Sequence, residues 1–131
     1  MPEKIRILFI LPTLDKGGAE RFTTDLVLHL DRSRFEPALL LFKRGGNWAA
    51  ELAAENIPIT ILHKKGRLDL LNFWHLFQEI RRFKPQIVHT ELGGDIYGRL
   101  AARLAGVRVV ITTEQNVSPD ESFFLNLAKR L

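Results

Sequence analysis

The sequence has 131 residues, enough for one domain, and 46% of them are hydrophobic, so the chain can bury a sizeable core. It contains no cysteine, which excludes disulfide bridges and cysteine-based metal or nucleophile sites. The net charge of +4 is spread over short basic pairs and triplets rather than one dense tract, so we expect no nucleic-acid partner.

The first predicted unit is a strand, a glycine turn and a helix. Ile5–Leu11 is a continuous apolar run of strand length, and Gly18–Leu30 has the spacing of an amphipathic helix. Gly17 and Gly18 let the backbone turn and let a ligand approach, and the first turn of the helix offers unpaired N–H groups suited to phosphate. The residues expected on its apolar face are Ala19, Phe22, Leu26 and Leu30.

The remaining elements alternate in the same way. Further strands are predicted at Pro37–Phe42, Ile57–Leu62, Gln86–His89 and Val107–Thr113, and further helices at Trp48–Glu55, Leu70–Phe83 and Asp95–Ala105. Pro58 favours an edge position for the third strand. Gly106 stands where a left-handed helix cap belongs.

Side-chain caps and core residues follow from the same patterns. Asn47 and Asp69 are predicted N-caps of the second and third helices. The third helix is expected to bury one apolar face, with its aromatic residues in the core. That face comprises Leu70, Phe73, Trp74, Phe77 and Ile80.

The last segment has the pattern of another helix. Ser118–Glu121 is a capping box with proline at the first helical position, and the apolar residues that follow are Phe123, Phe124, Leu127 and Leu131. Since no stop signal precedes the final residue, we expect the chain, residues 1–131, to be one domain of a longer protein.

Alternating strands and helices indicate an α/β fold: a Rossmann-like, doubly wound parallel sheet between two helical layers. In such sheets, ligands bind beyond the carboxyl ends of the strands, at the switch point in strand order. The loops after the first, fourth and fifth strands should therefore converge if the first and fourth strands are neighbours.

Several polar side chains fall in those loops. His89 either donates to a phosphate or sugar hydroxyl, acts in acid–base chemistry, or bonds to neighbouring backbone. Glu91, Asp95 and Glu114 either bind sugar hydroxyls or serve as caps and solvated charges. The dinucleotide fingerprint, the P-loop and the G-x-S-x-G elbow are absent, and the four histidines lack metal-ligand spacing.

Three sequence motifs are informative when they are considered together. They are GGAER at Gly17–Arg21, KPQIVHT at Lys84–Thr90 and VVITTEQN at Val109–Asn116. Together they resemble the N-terminal domain of the retaining glycosyltransferases of family 4, and the resemblance covers nearly the whole chain. It implies one half of a GT-B fold, in which a separate C-terminal domain holds most of the nucleotide-sugar contacts.

The resemblance also implies a site. It places Gly17 and Gly18 near the donor diphosphate and assigns substrate binding to five further residues: His89, Glu91, Thr113, Glu114 and Asn116. Gln115 occupies the catalytic position at which the family usually has histidine, and glutamine cannot shuttle a proton. The nucleotide sugar is a substrate, so no cofactor and no metal ion are expected.

The implied partners are a nucleotide sugar, a glycan or lipid-linked acceptor and the C-terminal domain of the same protein. Without that domain the fragment should be inactive. We expect a cytoplasmic location and a role in cell-envelope polysaccharide biosynthesis, with peripheral membrane contact through basic residues at Lys64–Arg67 and Arg81–Lys84. The alternative is a non-catalytic binding module that kept the fold and lost the chemistry.

Overall fold

The computed structural model describes residues 3–63, 70–91 and 95–113. The helices and strands alternate as the sequence predicts. In chain order they are β1 (Ile5–Leu11), α1 (Gly18–Leu28), β2 (Phe35–Leu41), α2 (Ala49–Ala54), β3 (Ile59–Ile61), α3 (Leu70–Phe83), β4 (Ile87–Glu91), α4 (Asp95–Leu104) and β5 (Val109–Thr113). The predicted Asp69 cap and the predicted helix after Ser118 lie outside the described residues.

The five strands form one parallel sheet in the order β3-β2-β1-β4-β5. The chain moves outward from β1 to β2 and β3, then returns through α3 to pair β4 with the free side of β1. The boundary between β1 and β4 is therefore the switch point, and their pairing meets the condition under which the loops after the first, fourth and fifth strands converge. β3 lies at the edge, as Pro58 predicts.

Side chains that alternate along the strands build two cores. Phe9 and Leu11 of β1 face α1 and α2, where they pack with Val27. Leu8 and Ile10 face α3 and α4, where they pack in a cluster with Leu76, Ala101 and Ala102. The sheet thus lies between two helical layers, which confirms the three-layer α/β fold.

The buried face of α1 differs from the predicted one. Phe22 is 52% exposed, and the fully buried residues are Thr23, Thr24 and Val27. The apolar stripe was a poor guide because two threonines occupy the face toward the sheet: Thr23 donates to a carboxylate of β4, and Thr24 donates to the Glu20 carbonyl at 2.8 Å.

The buried face of α3 is also shifted. Leu70 and Trp74 are 78% and 53% exposed, so the predicted core positions of both residues are wrong. Asn72, Leu76 and Ile80 are buried instead. The cause is the LLNFWHLF run, which is apolar around most of the helix, so periodicity alone did not determine which side meets the sheet.

The structure confirms some of the predicted helix caps and strand bounds and contradicts others. Gly106 adopts φ +81°, which confirms the left-handed cap after α4. The predicted Asn47 cap is wrong, because Trp48 precedes α2 without a side-chain capping bond. β3 is shorter than predicted. Within the described residues, no helix combines the length and hydropathy needed to cross a membrane.

Candidate functional site

The carboxyl ends of β1, β4 and β5 lie side by side at one edge of the sheet. Phe9 of β1 is in register with His89 of β4, and Glu91 of β4 is in register with Thr113 of β5. The three loops that follow these strands therefore start from adjacent positions at the switch point. This is the edge at which parallel α/β sheets bind ligands.

The glycine turn lies at this edge, where β1 leads into α1. Gly17 is the N-cap with φ −145° and ψ 161°, an extended conformation that any residue adopts, and its carbonyl accepts the first helical bond from Arg21 at 3.0 Å. A Cβ at Gly18 would meet no atom within 4 Å, whereas a Cβ at Gly17 would meet only the Glu20 side chain. The backbone of this protein therefore does not require glycine at position 18, and the space above it is open.

The loop between β2 and α2 makes hydrogen bonds to the loop between β1 and the glycine turn. The Leu14 N–H donates to the Gly45 carbonyl at 2.8 Å, and the Trp48 N–H donates to the Leu14 carbonyl at 3.0 Å. Arg44 pairs with Asp15 at 2.6 Å, and its hydrogen bond lowers the pKa of this exposed carboxyl. The loop between β2 and α2 thus fixes the path of the backbone between β1 and the glycine turn.

Arg21, the last residue of the GGAER motif, makes contacts within α1 and with the region of α2. Its guanidinium lies 2.6 Å from Asp25 and 3.1 Å from Glu51, and 4.5 Å from the ring centre of Trp48. It therefore joins α1 to α2, a cation–π and ion-pair contact that secures the helix bearing the glycine turn. The motif thus combines open space at Gly18 with a structural contact at Arg21.

His89 lies on β4, the middle one of the three strands whose carboxyl ends form this edge. It is 8% exposed, its Nε2 is 2.5 Å from Thr113 Oγ1, and the Phe9 ring packs against it at 5.4 Å between centroids. Burial lowers the pKa of His89 below the ordinary value of 6.5, because a charged imidazole would be poorly solvated there. Among the described residues, its hydrogen-bonding contact is thus with a side chain of β5.

Glu91 is buried next to His89. It is 1% exposed, the Thr23 hydroxyl donates to its Oε2, and its Oε1 has no hydrogen-bond partner and lies 3.7 Å from His89 Nε2. Burial raises the pKa of Glu91 above 4.5; the Thr23 bond opposes this and the charge of Glu20 adds to it. A direct contact with a sugar hydroxyl would require this carboxyl to move, and it stays a prediction.

The structure therefore brings five predicted site residues to one edge: Gly17, Gly18, His89, Glu91 and Thr113. Glu114, Gln115 and Asn116 lie outside the described residues, and so does the side chain of Asp95. Sequence analysis missed Thr23. The available signal was weak: two threonines interrupt the apolar face of α1, and helix periodicity counts them as polar.

Two other observations concern possible sites elsewhere. A cleft of about 290 Å³ lies at the opposite end of the sheet, between the ends of α3 and α4. Its lining residues are Ile80, Arg81, Lys84, Pro85, Ala105, Gly106 and Val107. In the described ranges, no three histidine, aspartate or glutamate side chains are grouped so that they could hold a metal ion.

The model of the protein family described as "Glycosyltransferase Family 4" matches residues 16–131 of this chain. No match was found among curated protein sequences. Two solved structures are similar: Acinetobacter baumannii MurG, with a TM-score of 0.72 and 20% identity, and a glycosyltransferase from Rickettsia africae ESF-5, with a TM-score of 0.75 and 21% identity. Each match covers 96% of this chain but only 39% and 34% of the respective neighbour, and at these identities it shows the fold.

Proposed function

We propose, from the fact that this chain belongs to glycosyltransferase family 4, that it forms the acceptor-side half of a retaining, hexosyltransferase-type enzyme. The full-length protein would transfer a sugar from a nucleotide sugar to a glycan, lipid-linked or small-molecule acceptor. A second, donor-binding domain would complete the site. The chain spans about two-fifths or less of the similar solved structures, so this fragment alone would be inactive.

One observation carries the proposal: the open space above Gly18 at the beginning of α1, beside the switch point of the sheet. Helix N-termini bind anions through unpaired N–H groups and the positive end of the helix dipole. Negative charge develops on the nucleoside diphosphate as it leaves the sugar, so these amides would stabilise the transition state. Neither a metal ion nor a resident cofactor is part of this proposal.

The other residues of the edge would form the acceptor wall. His89 and Thr113 lie at the ends of neighbouring strands, within hydrogen-bonding distance of each other. Glu114, Gln115 and Asn116 follow directly in sequence and would extend the wall toward the reacting sugar. Gln115 would bind a sugar hydroxyl by its amide, since an amide does not transfer protons at this position.

Replacement of Gly18 by alanine or valine tests the proposal in the full-length protein. The added Cβ would meet no atom within 4 Å, but it would enter the space assigned to the diphosphate. We expect turnover of nucleotide sugars to fall roughly 10- to 100-fold, because small misplacements at a reacting centre have effects of that size. The thermal midpoint of the variants should stay close to that of the parent.

The control is Ala50→Val, which adds the same bulk to an exposed position of α2. It should leave both turnover and stability unchanged. Equal turnover in the Gly18 variants and the parent would contradict the phosphate-binding role. Absence of turnover with any nucleotide sugar, in an intact two-domain protein, would favour the non-catalytic binding module.

We further propose that the protein acts in cell-envelope polysaccharide biosynthesis, in the cytoplasm, through contact with the inner face of the membrane. Leu70, Leu71 and Trp74 of α3 are 78%, 65% and 53% exposed, and basic Arg81 and Lys84 lie at the other end of this helix. Exposed apolar side chains together with basic ones fit an anionic lipid surface. A lipid-linked acceptor would then be available beside the site.

A further inference from the structure

Glu91 Oε1 is the oxygen that the described fold leaves without a hydrogen bond at the edge of the site. A carboxylate with 1% exposure and a single hydroxyl donor would be a poorly compensated charge, and such groups are costly to bury. No lysine or arginine in the described part of the chain pairs with it. A neutral carboxylic acid removes this cost.

The position of the acidic proton follows from the donors around it. The Thr23 hydroxyl donates to Oε2, so that oxygen acts as the acceptor. With Thr23 as the donor to Oε2, the acid proton lies on Oε1, the oxygen that has no other hydrogen-bond partner and lies 3.7 Å from His89 Nε2. A shift of about 1 Å would bring this pair to ordinary hydrogen-bonding distance. Thr113 Oγ1 already lies 2.5 Å from the same nitrogen.

We propose that Glu91 is a positioning residue for His89: as a buried carboxylic acid held by Thr23, it directs its Oε1 proton at Nε2 and, together with the Thr113 hydroxyl, keeps the imidazole neutral and protonated at Nδ1. The Nε2 lone pair of His89 is then engaged within the fold, so the imidazole acts neither as a general base nor as a cation for the diphosphate. The assignment to a sugar-transfer site depends on the proposed function; the protonation states do not.

The surroundings of the pair agree with a neutral state. From β1, Phe9 and Leu11 present only apolar groups, and the described residues of β5 contain no titratable side chain. From α1, Glu20 is the charged group that acts on Glu91, and its negative charge favours the protonated acid. Burial lowers the pKa of His89 and raises the pKa of Glu91, and both shifts favour the neutral side chain.

The raised pKa of Glu91 makes the stability of the protein depend on pH. The pKa of Glu91 is raised in the folded state, so its contribution to stability is greatest below its unfolded pKa and is lost as the pH rises through the folded pKa. Glutamine has the same shape but does not ionise. Glu91→Gln should therefore match the parent at about pH 4 and exceed it at about pH 8 in denaturant midpoint.

The experiment combines this pH series with NMR of the intact chain. Two-dimensional ¹H–¹⁵N spectra of the ring nitrogens report the tautomer of His89 against those of His29, His63 and His75. We expect the Nδ1–H tautomer in the parent and in Glu91→Gln, and loss of that single tautomer in Glu91→Ala. Thr23→Val, which removes the donor to Oε2, should give an intermediate result.

Glu36→Gln is the control, because it removes an exposed carboxylate without touching the network. It should show no gain in stability at high pH. An imidazolium or an Nε2–H tautomer at neutral pH in the parent would overturn the inference, and so would a Glu91→Gln variant less stable than the parent at about pH 8. None of these measurements requires turnover, so failure here is distinguishable from failure of the Gly18 experiment.

Discussion

At the scale of single residues, three glycines of this protein differ in what the fold requires of them. Gly18 has an ordinary helical position and open space around it, so neither conformation nor a neighbouring atom requires glycine there. Gly106 has φ +81° but no neighbour that a Cβ would touch. Gly46 combines φ +84° with a Cβ position that overlaps the backbone of Leu14 and Asp15. Only Gly46 is fixed by both conformation and space.

Gly46→Ala should therefore destabilise the protein more than Gly106→Ala. The latter has only the left-handed backbone cost, about 1–2 kcal/mol, whereas the former must also displace the backbone beneath the glycine turn. Urea denaturation of both variants measures the difference. Equal losses for the two variants would mean that the loop after β1 yields easily and is not held in place by the loop after β2.

At the scale of elements, α3 shows how an all-round apolar helix is oriented. Its sequence allows several faces to be buried, and the sheet selects Asn72, Leu76 and Ile80. Trp74 remains outside, stacked on Phe77 with 5.7 Å between ring centroids. The large aromatic side chain thus contributes less to the core than the smaller leucine two positions later.

Leu76→Ala should lower the free energy of unfolding by about 2–5 kcal/mol, since it leaves a cavity in a fully buried position. Trp74→Ala should lower it by less, because about half of this side chain is exposed and its pairing with Phe77 contributes only about 0.5–1.5 kcal/mol beyond the buried area. Denaturant midpoints of the two variants provide the comparison. A larger loss for Trp74→Ala would mean that the exposed side of α3 is covered in solution.

At the scale of the whole molecule, the helical layers on opposite sides of the sheet differ in chemical character. The α1 layer carries the glycine turn and the buried Thr23–Glu91 contact. The α3 and α4 layer presents exposed leucines, including Leu100 and Leu104, and the basic residues near the end of α3. One side thus carries buried polar groups at the strand ends, and the other has a mixed apolar and basic surface.

Vesicle co-sedimentation tests the membrane contact of that surface. We expect the chain to bind vesicles containing anionic lipid, to release in high salt, and to bind less when Trp74 is replaced by serine or Arg81 by glutamate. Each basic residue near such a surface contributes about 1 kcal/mol. Arg32→Glu makes the same charge change at an exposed position elsewhere and should have little effect. Binding that is independent of anionic lipid would reject the contact.

The sequence by itself determined the order of helices and strands, the parallel doubly wound sheet and the edge position of β3. These features depend on local information: apolar runs of strand length, helical spacing, Pro58 and Gly106. Connection rules restrict how such units assemble, and the observed pairing of β1 with β4 meets the condition under which the loops beyond the strand ends converge.

Only the tertiary structure decided which faces are buried and which polar groups meet. Thr23 and Glu91 are 68 residues apart in sequence, and no local sequence pattern predicts that they form a hydrogen bond. Nor does the pattern of α3 show that Leu76 rather than Trp74 faces the sheet. The physical reason is that periodicity describes one element at a time, whereas burial, pKa and hydrogen bonding are set by whichever distant segment packs against it.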